Sequence, residues 1–264
     1  VHTGGAAPVN VLMLTHRLPY APNRGDRRRT FHMLRVLSHT ARVHVASLVH
    51  DASEAAHADD VMTLAASVRV APVSTRVNML RGVLTLAGTQ PLTHTLLHAR
   101  AMATHIRDAV SAERIDVVLC CGSGMAPHAL VLHDAGVPFV LDLVDVDSAK
   151  WADYAVSSLP PRRWVYAREA ACLGAFEART VDLASVTLVV NEREQRALAA
   201  VAPQVHATVV PNGIDVDTLR SPVPPQNRDA VLFCGVMDYR PNHDAARWLL
   251  DDIWPRVQRE HPHA

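Results

Sequence analysis

The sequence predicts an α/β fold built on a doubly wound parallel sheet with helices on both faces. Seven short runs rich in aliphatic and β-branched residues are predicted strands, and the first of them (VNVLMLT) is nearly unbroken, as expected of a strand that is buried on both faces. Helical stretches separate these runs, and such alternation produces right-handed crossovers and a parallel sheet. Hydrophobic residues make up 49% of the 264 residues, which is enough for a large buried core.

The first predicted strand is residues 9–15 (VNVLMLT), after which a loop with Pro19, Pro22 and Gly25 leads to a helix from about Asp26. The other predicted strands are residues 42–48, 68–73, 116–121, 138–144, 186–190 and 207–210. The other predicted helices are residues 53–66, 77–87, 96–112 and 149–183, the last one interrupted by Pro160 and Pro161. The repeated strand–helix order predicts a Rossmann-like domain over residues 1–211.

A second unit is predicted after residue 211. Residues 212–228 form an interdomain linker that contains the proline-rich stretch SPVPPQNR. Residues 229–264 then carry an apolar run (AVLFCG) and a helical stretch, which we interpret as the first βα unit of a second Rossmann-like domain. Because one βα unit buries little surface, we expect residues 230–264 to be the least stable part of the chain.

Composition excludes several classes of protein. The 26 basic and 26 acidic residues balance, so no nucleic-acid partner is expected. No apolar run reaches the length of a membrane span, and we expect a cytoplasmic protein with reduced cysteine thiols. His94 and His98 stand four residues apart but lack the carboxylate of a zinc motif, so neither a metal nor another cofactor is predicted.

A glycine directly before the first helix favours phosphate binding. Gly25 and Asp26 follow the loop after the first strand, where backbone N–H groups and the helix dipole point away from the strand ends. The alternative without a binding role is an ordinary βα turn in which Asp26 caps the helix. The arginines at 27–29 are more typical of a solvated helix face than of ligands.

Polar residues cluster after the predicted strand 138–144, where an open α/β sheet binds its ligands. Asp145, Asp147 and Lys150 are candidate catalytic residues, since ionisable groups at the end of an apolar strand suffer desolvation without a function. Ser148 is a candidate for substrate binding. Alternatively, Asp147 or Ser148 only caps the next helix. The D-x-D pattern of Asp145 and Asp147 is too short to predict a metal-bound nucleotide.

Three further stretches carry candidate substrate-binding residues. Ser123 lies between two glycines after a strand, but the flanking residues do not complete a G-x-S-x-G nucleophile elbow. Asn212 belongs to an Asn-Gly turn that suits a hinge. The last stretch adds four candidates, Gly235, Asp238, Arg240 and Asn242, of which Arg240 is a candidate phosphate cation.

Four stretches together resemble the family 4-like glycosyltransferases of the GT-B fold, which has two Rossmann-like domains. They are RLPYAPNRGDRRR at 17–29, DLVDVDSAKW at 142–151, VPNGID at 210–215 and FCGVMDYRPNHD at 233–244. The combination is most similar to the sugar transferases of bacterial exopolysaccharide and PEP-CTERM/exosortase gene clusters. In many members a His-Asp pair follows the strand where this chain has Val144 and Asp145.

The resemblance implies a cytoplasmic hexosyltransferase of the retaining type. It would transfer a sugar from a nucleotide diphosphate sugar to a saccharide or lipid-linked acceptor, with peripheral contact at the inner membrane surface. Gly25 and Asp26 would lie near the donor diphosphate or the acceptor, and Gly235 would face the diphosphate. Residues 229–264 do not contain the E-x7-E element of the family's donor domain, so we expect a fragment that is inactive alone. The alternatives are another GT-B enzyme, such as a nucleotide-sugar epimerase, and a non-catalytic binding module.

Overall fold

A computed structural model describes residues 8–22, 25–213, 216, 231–237 and 240–262, and the chain separates into two compact units, Val1–Gly213 and Ile214–Ala264. The first unit contains a seven-stranded parallel sheet in the order β3-β2-β1-β4-β5-β6-β7. The strands are β1 (Val9–Thr15), β2 (Ala41–Val49), β3 (Ser67–Pro72), β4 (Val117–Cys121), β5 (Phe139–Val144), β6 (Val186–Val189) and β7 (Thr208–Val209). All seven strands predicted for residues 1–211 are therefore confirmed.

Ten helices in the described part of the first unit connect these strands. They are α1 (Gly25–Leu37), α2 (Ala52–Ala55), α3 (Ala58–Met62), α4 (Thr75–Thr85), α5 (Leu92–Leu96), α6 (Arg100–Ala112), α7 (Ala126–Asp134), α8 (Asp147–Val156), α9 (Arg162–Leu183) and α10 (Glu192–Val201). Two predicted helices are each interrupted in the structure. The one at 53–66 is α2 and α3, and the one at 96–112 is split because Ala99 is extended, with φ −132° and ψ 123°.

The core lies in two apolar layers, one on each face of the sheet. One layer packs α6, α7, α9 and α10 against the sheet, with Met102, Met125, Phe139 and Leu198 fully buried. The other packs α1 and α3 on the opposite face, around Leu34. This is the doubly wound arrangement that the sequence predicts. Cys120 and Cys121 lie inside it, and burial raises the pKa of both thiols, so they are protonated.

The strand order reverses between β1 and β4, which places a crevice outside the carboxyl ends of these two strands. The crossover from β3 to β4 carries α4, α5 and α6, whereas β4 leads into a short 3-10 turn, Ser123–Met125, and then α7. The turn begins at Gly122, whose φ of +87° suits glycine alone. The residues predicted to form a site therefore follow strands that meet at one edge.

In the second unit, α11 (Arg240–Trp248), a π-helical turn (Leu249–Ile253) and α12 (Trp254–Glu260) form one continuous helical stretch. The strand predicted at 230–235 is not formed, because the described residues 231–236 have no regular secondary structure. A strand needs a partner for its backbone hydrogen bonds, and the described part of this unit has none. The helices bury none of their residues.

None of the helices in the described residues is both long and apolar enough to cross a bilayer.

Candidate functional site

Three predicted site residues meet beyond the carboxyl ends of β4 and β5. Ser123 donates its hydroxyl to Asp147 Oδ2 at 2.6 Å, across 24 positions in sequence. The Lys150 ammonium donates to the other carboxylate oxygen of Asp147, one turn further along α8. Lys150 thus balances the charge of Asp147, and the pair remains partly open to solvent. The Lys150 ammonium and the Asp147 carboxylate are therefore open to a ligand at one place. Ser123 is 1% exposed, so its predicted contact with substrate is corrected to a contact that positions Asp147.

Asp145 stands beside this group, directly after β5, and is exposed. Neighbouring protein atoms nevertheless desolvate its carboxylate, and this burial, followed by the negative charge of Glu194, raises its pKa. Lys150 acts in the opposite direction. A carboxylate with a raised pKa is a stronger base than an ordinary one, which suits proton transfer.

The backbone before Asp145 is strained. Val144 has φ of +63°, a left-handed conformation that is rare for a β-branched residue. The pairing of β5 with β6 shifts register between Asp142 and Val144, so the strand bends as it reaches the site. Such strain costs about 1–3 kcal/mol and is typical of functional positions.

Two carboxylates from other helices, the buried Glu177 and the half-buried Glu194, hold the beginning of α8. The backbone N–H of Val146 donates to Glu194 Oε2 at 2.8 Å, and that of Ser148 donates to Glu177 Oε1 at 3.3 Å. The N-cap residue is Val146, and no side chain caps it, so the alternative in which Asp147 or Ser148 caps the helix is wrong. The carboxylates satisfy the helix's first N–H groups and fix the backbone that carries Asp147.

The Ser148 hydroxyl faces the interior. Ser148 is 4% exposed and donates its hydroxyl to Glu177. Burial raises the pKa of Glu177 to about 7, against the lowering effect of its hydrogen bonds with Ser148. The predicted role of Ser148 in contacting substrate is therefore corrected to a positioning contact behind the site.

Gly25 is the first residue of α1, and a Cβ built there would meet no atom within 4 Å. The side chain of Asp26 lies outside the described residues. One turn later, Arg29 forms two hydrogen bonds with Asp142 of β5, at 2.7 and 2.9 Å. The start of α1 is thus held at the same edge of the sheet as Asp145, with open space beside Gly25.

Arg27 and Arg29 do not lie on a solvated face, which corrects that expectation, whereas Arg28 is exposed. Arg29 is 6% exposed and Asp142 fully buried, so theirs is an internal ion pair. Arg27 reaches the buried Glu54 at 3.1 Å. Glu54 also accepts the backbone N–H groups of Leu18, at 3.1 Å, and of residue 50, at 2.8 Å. The arginines therefore fix the loop between β1 and α1.

Asn212 is joined to the same network. Its Oδ1 accepts a hydrogen bond from Arg29 at 3.0 Å, and the carbonyl of Val210 accepts another at 2.7 Å. The residues after β7 are thereby tied to α1. The predicted substrate-binding side chain of Asn212 is engaged within the protein.

A pocket of about 340 Å³ opens next to the Ser123 turn. Histidines and an aromatic ring dominate its wall. The lining residues are Gln90, Pro91, His94, Leu97, His98, Gly124, Pro127, His128 and Phe176. His94 contacts the carbonyl oxygen of Ser123 at 3.2 Å and packs edge-on against Phe176 at 4.3 Å. Burial lowers the pKa of both His94 and His128, so both imidazoles are neutral near pH 7.

The described residues contain no cluster of three or more His, Cys, Asp and Glu side chains arranged to hold a metal ion.

Of the candidates of the second unit, Gly235 lies before α11, and Arg240 and Asn242 lie in its first turn. Asn242 donates to the carbonyl of Val236 at 3.0 Å, and a Cβ at Gly235 would lie 2.9 Å from its amide nitrogen. Only glycine permits this approach. Arg240 forms an exposed ion pair with Asp244 at 3.4 Å. Asp238 lies outside the described residues.

The interpretation of the sequence missed four residues that organise the site. They are Arg29, Asp142, Glu177 and Glu194. A signal existed for Asp142, because a carboxylate within an apolar strand requires a cationic partner, and an arginine run was present upstream. No local signal marks the two glutamates, whose helices resemble ordinary amphipathic helices.

Comparisons with known proteins add likenesses of fold. No protein-family profile matches the chain, and no curated protein sequence does. The structure is similar to the glycotransferase of kitacinnamycin, with 15% identity and a TM-score of 0.47 over 93% of this chain and 63% of that one. It is also similar to a UDP-glucosyltransferase from Polygonum tinctorium, with 10% identity and a TM-score of 0.46 over 84% of this chain and 56% of that one.

A third likeness is to the N-terminal domain of Candida albicans trehalose-6-phosphate phosphatase, with 11% identity and a TM-score of 0.43. It covers 81% of this chain and 51% of that one. The chain therefore spans less than two thirds of each of these three structures. At these identities and TM-scores the likeness concerns the fold and carries no assignment of activity.

Proposed function

We propose that this chain supplies the acceptor side of a GT-B glycosyltransferase. The whole protein would move a sugar from a nucleotide diphosphate sugar to a saccharide or lipid-linked acceptor, as in exopolysaccharide synthesis. One observation carries the proposal: Ser123, Asp147 and Lys150 are in contact beside Asp145, at the edge of the sheet where an α/β fold of this kind binds ligands.

The pocket beside this cluster suits a sugar. Its volume of about 340 Å³ is within the range of small-molecule sites. Neutral imidazoles and the Gln90 amide both donate and accept hydrogen bonds, as sugar hydroxyls require, and Phe176 offers an apolar face to a sugar ring. The Ser123 carbonyl, which contacts His94, links the pocket wall to the charged cluster.

In the proposed reaction, an acceptor hydroxyl displaces the nucleoside diphosphate from the anomeric carbon. The bond from that carbon to the donor phosphate breaks, a bond to the acceptor oxygen forms, and the hydroxyl loses a proton. Asp145 would take the proton, because its raised pKa favours proton uptake. Lys150, held by Asp147, would orient polar groups of the acceptor. Retention of configuration and the hexose class of the donor belong to the same proposal.

Product analysis tests the function. The intact protein is incubated with radiolabelled UDP-glucose, UDP-galactose or GDP-mannose, together with polyprenyl phosphate lipids and oligosaccharides as acceptors. We expect nucleoside diphosphate and a new glycoside to appear in equal amounts. A changed sugar with no glycoside would indicate the epimerase alternative. No turnover with any donor, by a folded protein, would indicate the binding module.

A further inference from the structure

The helix α4 has its polarity inverted relative to an ordinary surface helix. Its inward face carries Asn78, which is 1% exposed and donates to the carbonyls of Leu96 and His98 at 3.0 and 2.7 Å. Gly82 is also buried, against Leu92, where a Cβ would lie 2.9 Å from a side-chain carbon. A polar side chain and a glycine thus occupy the positions that apolar residues fill in a helix packed on a core.

The outward face of α4 is apolar. It presents Val77, Met79, Leu80, Val83 and Leu84, which are 44%, 62%, 73%, 66% and 79% exposed. Single exposed apolar residues are ordinary, but a contiguous set on one helix marks an interaction surface.

The beginning of α9 extends this apolar face. Arg168 donates to four carbonyls at and beyond the end of α4, among them those of Thr85 at 2.7 Å and Gly88 at 2.6 Å. Trp164 stands one helical turn before Arg168, on the same side of α9, and is 68% exposed. Leu159, directly before α9, is 83% exposed. We call Trp164 and Leu159, together with the outward residues of α4, the α4–α9 face.

The charge around this face has one sign. Residues 61–107 contain no Asp or Glu, whereas Arg76 and Arg81 lie on α4 itself. Arg162 and Arg163 directly precede Trp164 and are exposed. The nearby Glu169 does not offset them, because it is 1% exposed and accepts the backbone N–H groups of α5 at 2.7 and 2.8 Å. The face is therefore apolar and cationic.

We propose that the α4–α9 face docks on the surface of an anionic lipid bilayer. Apolar side chains interleaved with arginines, with a tryptophan at the rim, match the interface between acyl chains and negatively charged headgroups. An 11-residue helix lies in that interface and does not cross it. The absence of acidic residues favours a negative partner over a second copy of this face, which would bring like charges together. The inference does not depend on the proposed transferase activity.

Vesicle co-sedimentation tests this surface. The 264-residue chain is mixed with vesicles of phosphatidylcholine alone, or of phosphatidylcholine and phosphatidylglycerol in equal parts. The test variant is Leu80→Asn with Leu84→Asn, whose wild-type side chains are largely in solvent, so folding is preserved. The matched control is Val36→Asn with Met62→Asn, at exposed positions on the opposite face of the sheet.

We expect the chain and the control to bind the anionic vesicles, and the test variant to bind at least about tenfold more weakly. Arg76→Glu with Arg81→Glu should weaken binding to anionic vesicles by a similar factor, and added salt should do the same. Three outcomes would overturn the proposal. These are equal binding to neutral and anionic vesicles, wild-type binding by the test variant, and a dimer that the test variant dissociates in sedimentation velocity experiments.

Discussion

Four buried carboxylates each hold a neighbouring segment of this chain in place. Asp142, Glu54, Glu169 and Glu177 are each at most 1% exposed, and each binds arginine side chains, backbone N–H groups or a serine hydroxyl. A buried charge without such partners would cost several kcal/mol, so each carboxylate fixes the segment that supplies its partners. Loops and helix starts at the carboxyl edge are positioned in this way.

Glu177 should make stability depend on pH. Its pKa is raised from 4.5 to about 7 in the folded chain, so folding favours its protonated form. The stabilisation is complete below pH 4.5 and is lost as pH rises through 7. A difference of one pH unit in pKa is worth about 1.4 kcal/mol, so Glu177 should lower the free energy of unfolding by about 3 kcal/mol between pH 4.5 and 7.

Urea unfolding of Glu177→Gln at both pH values measures this effect. The variant keeps a polar group beside Ser148 but does not ionise, so its stability should change less with pH than that of the wild type. Glu192→Gln is the control, because that side chain is 81% exposed. Identical pH dependence of the wild type and Glu177→Gln would contradict the raised pKa.

The ion pair of Arg29 with Asp142 should be costly to break. Arg29→Met leaves a buried carboxylate without its cation, and such a loss typically costs about 3–5 kcal/mol of unfolding free energy. Arg28→Met is the matched control, since Arg28 is exposed and, among the described residues, donates a 3.4 Å hydrogen bond to the carbonyl of Pro22. Chemical denaturation measures both variants. Equal stability of the two would show that the internal pair contributes little.

At the scale of elements, strands were predictable and helix continuity was not. Apolar runs such as VNVLMLT admit little except a buried strand, and β1 has the predicted bounds. No glycine or proline lies at the break between α5 and α6, so no local residue type predicts it. It depends on Asn78, which is distant in sequence and binds the carbonyls of Leu96, at the end of α5, and of His98, within the break. Tertiary contacts of this kind are not encoded in local propensity.

The strand predicted from the apolar run at 230–235 was wrong. Its composition is typical of a buried strand, yet residues 231–236 are irregular, because the described part of that unit offers no neighbouring strand. We predict that the backbone amides of 231–236 exchange hydrogen much faster than those of Val9–Thr15, which are paired on both sides.

Hydrogen exchange followed by mass spectrometry on the monomeric chain tests this, with Val186–Val189 as the internal control because that strand is also paired on both sides. Equal protection of 231–236 and Val9–Thr15 would show that the second unit forms a sheet in solution.

At the scale of the whole molecule, the topology explains which parts of the site were predictable. Parallel strands bring their carboxyl ends to one edge, so residues after β4 and β5 could be grouped from sequence alone, as the contact of Ser123 with Asp147 confirms. The inward direction of Ser148 and the contribution of Glu194 depend on how α9 and α10 pack behind α8. The residues of α8 alone do not predict that packing.

The substitution Asp145→Asn in the intact protein tests the central claim most directly. Asparagine keeps the size and polarity of the side chain but cannot take a proton from an acceptor hydroxyl. The control is Asp153→Asn. Asp153 is an exposed residue of α8, the helix that follows Asp145, and lies 3.6 Å from Arg193. Initial rates of sugar transfer and thermal midpoints are measured for the wild type and both variants.

We predict that Asp145→Asn lowers the rate of transfer by about 10²–10⁴-fold with an unchanged thermal midpoint, as loss of an acid–base group typically does, while Asp153→Asn retains the wild-type rate. A wild-type rate for Asp145→Asn, or a loss of rate matched by unfolding, would contradict the claim that this edge of the sheet performs the chemistry.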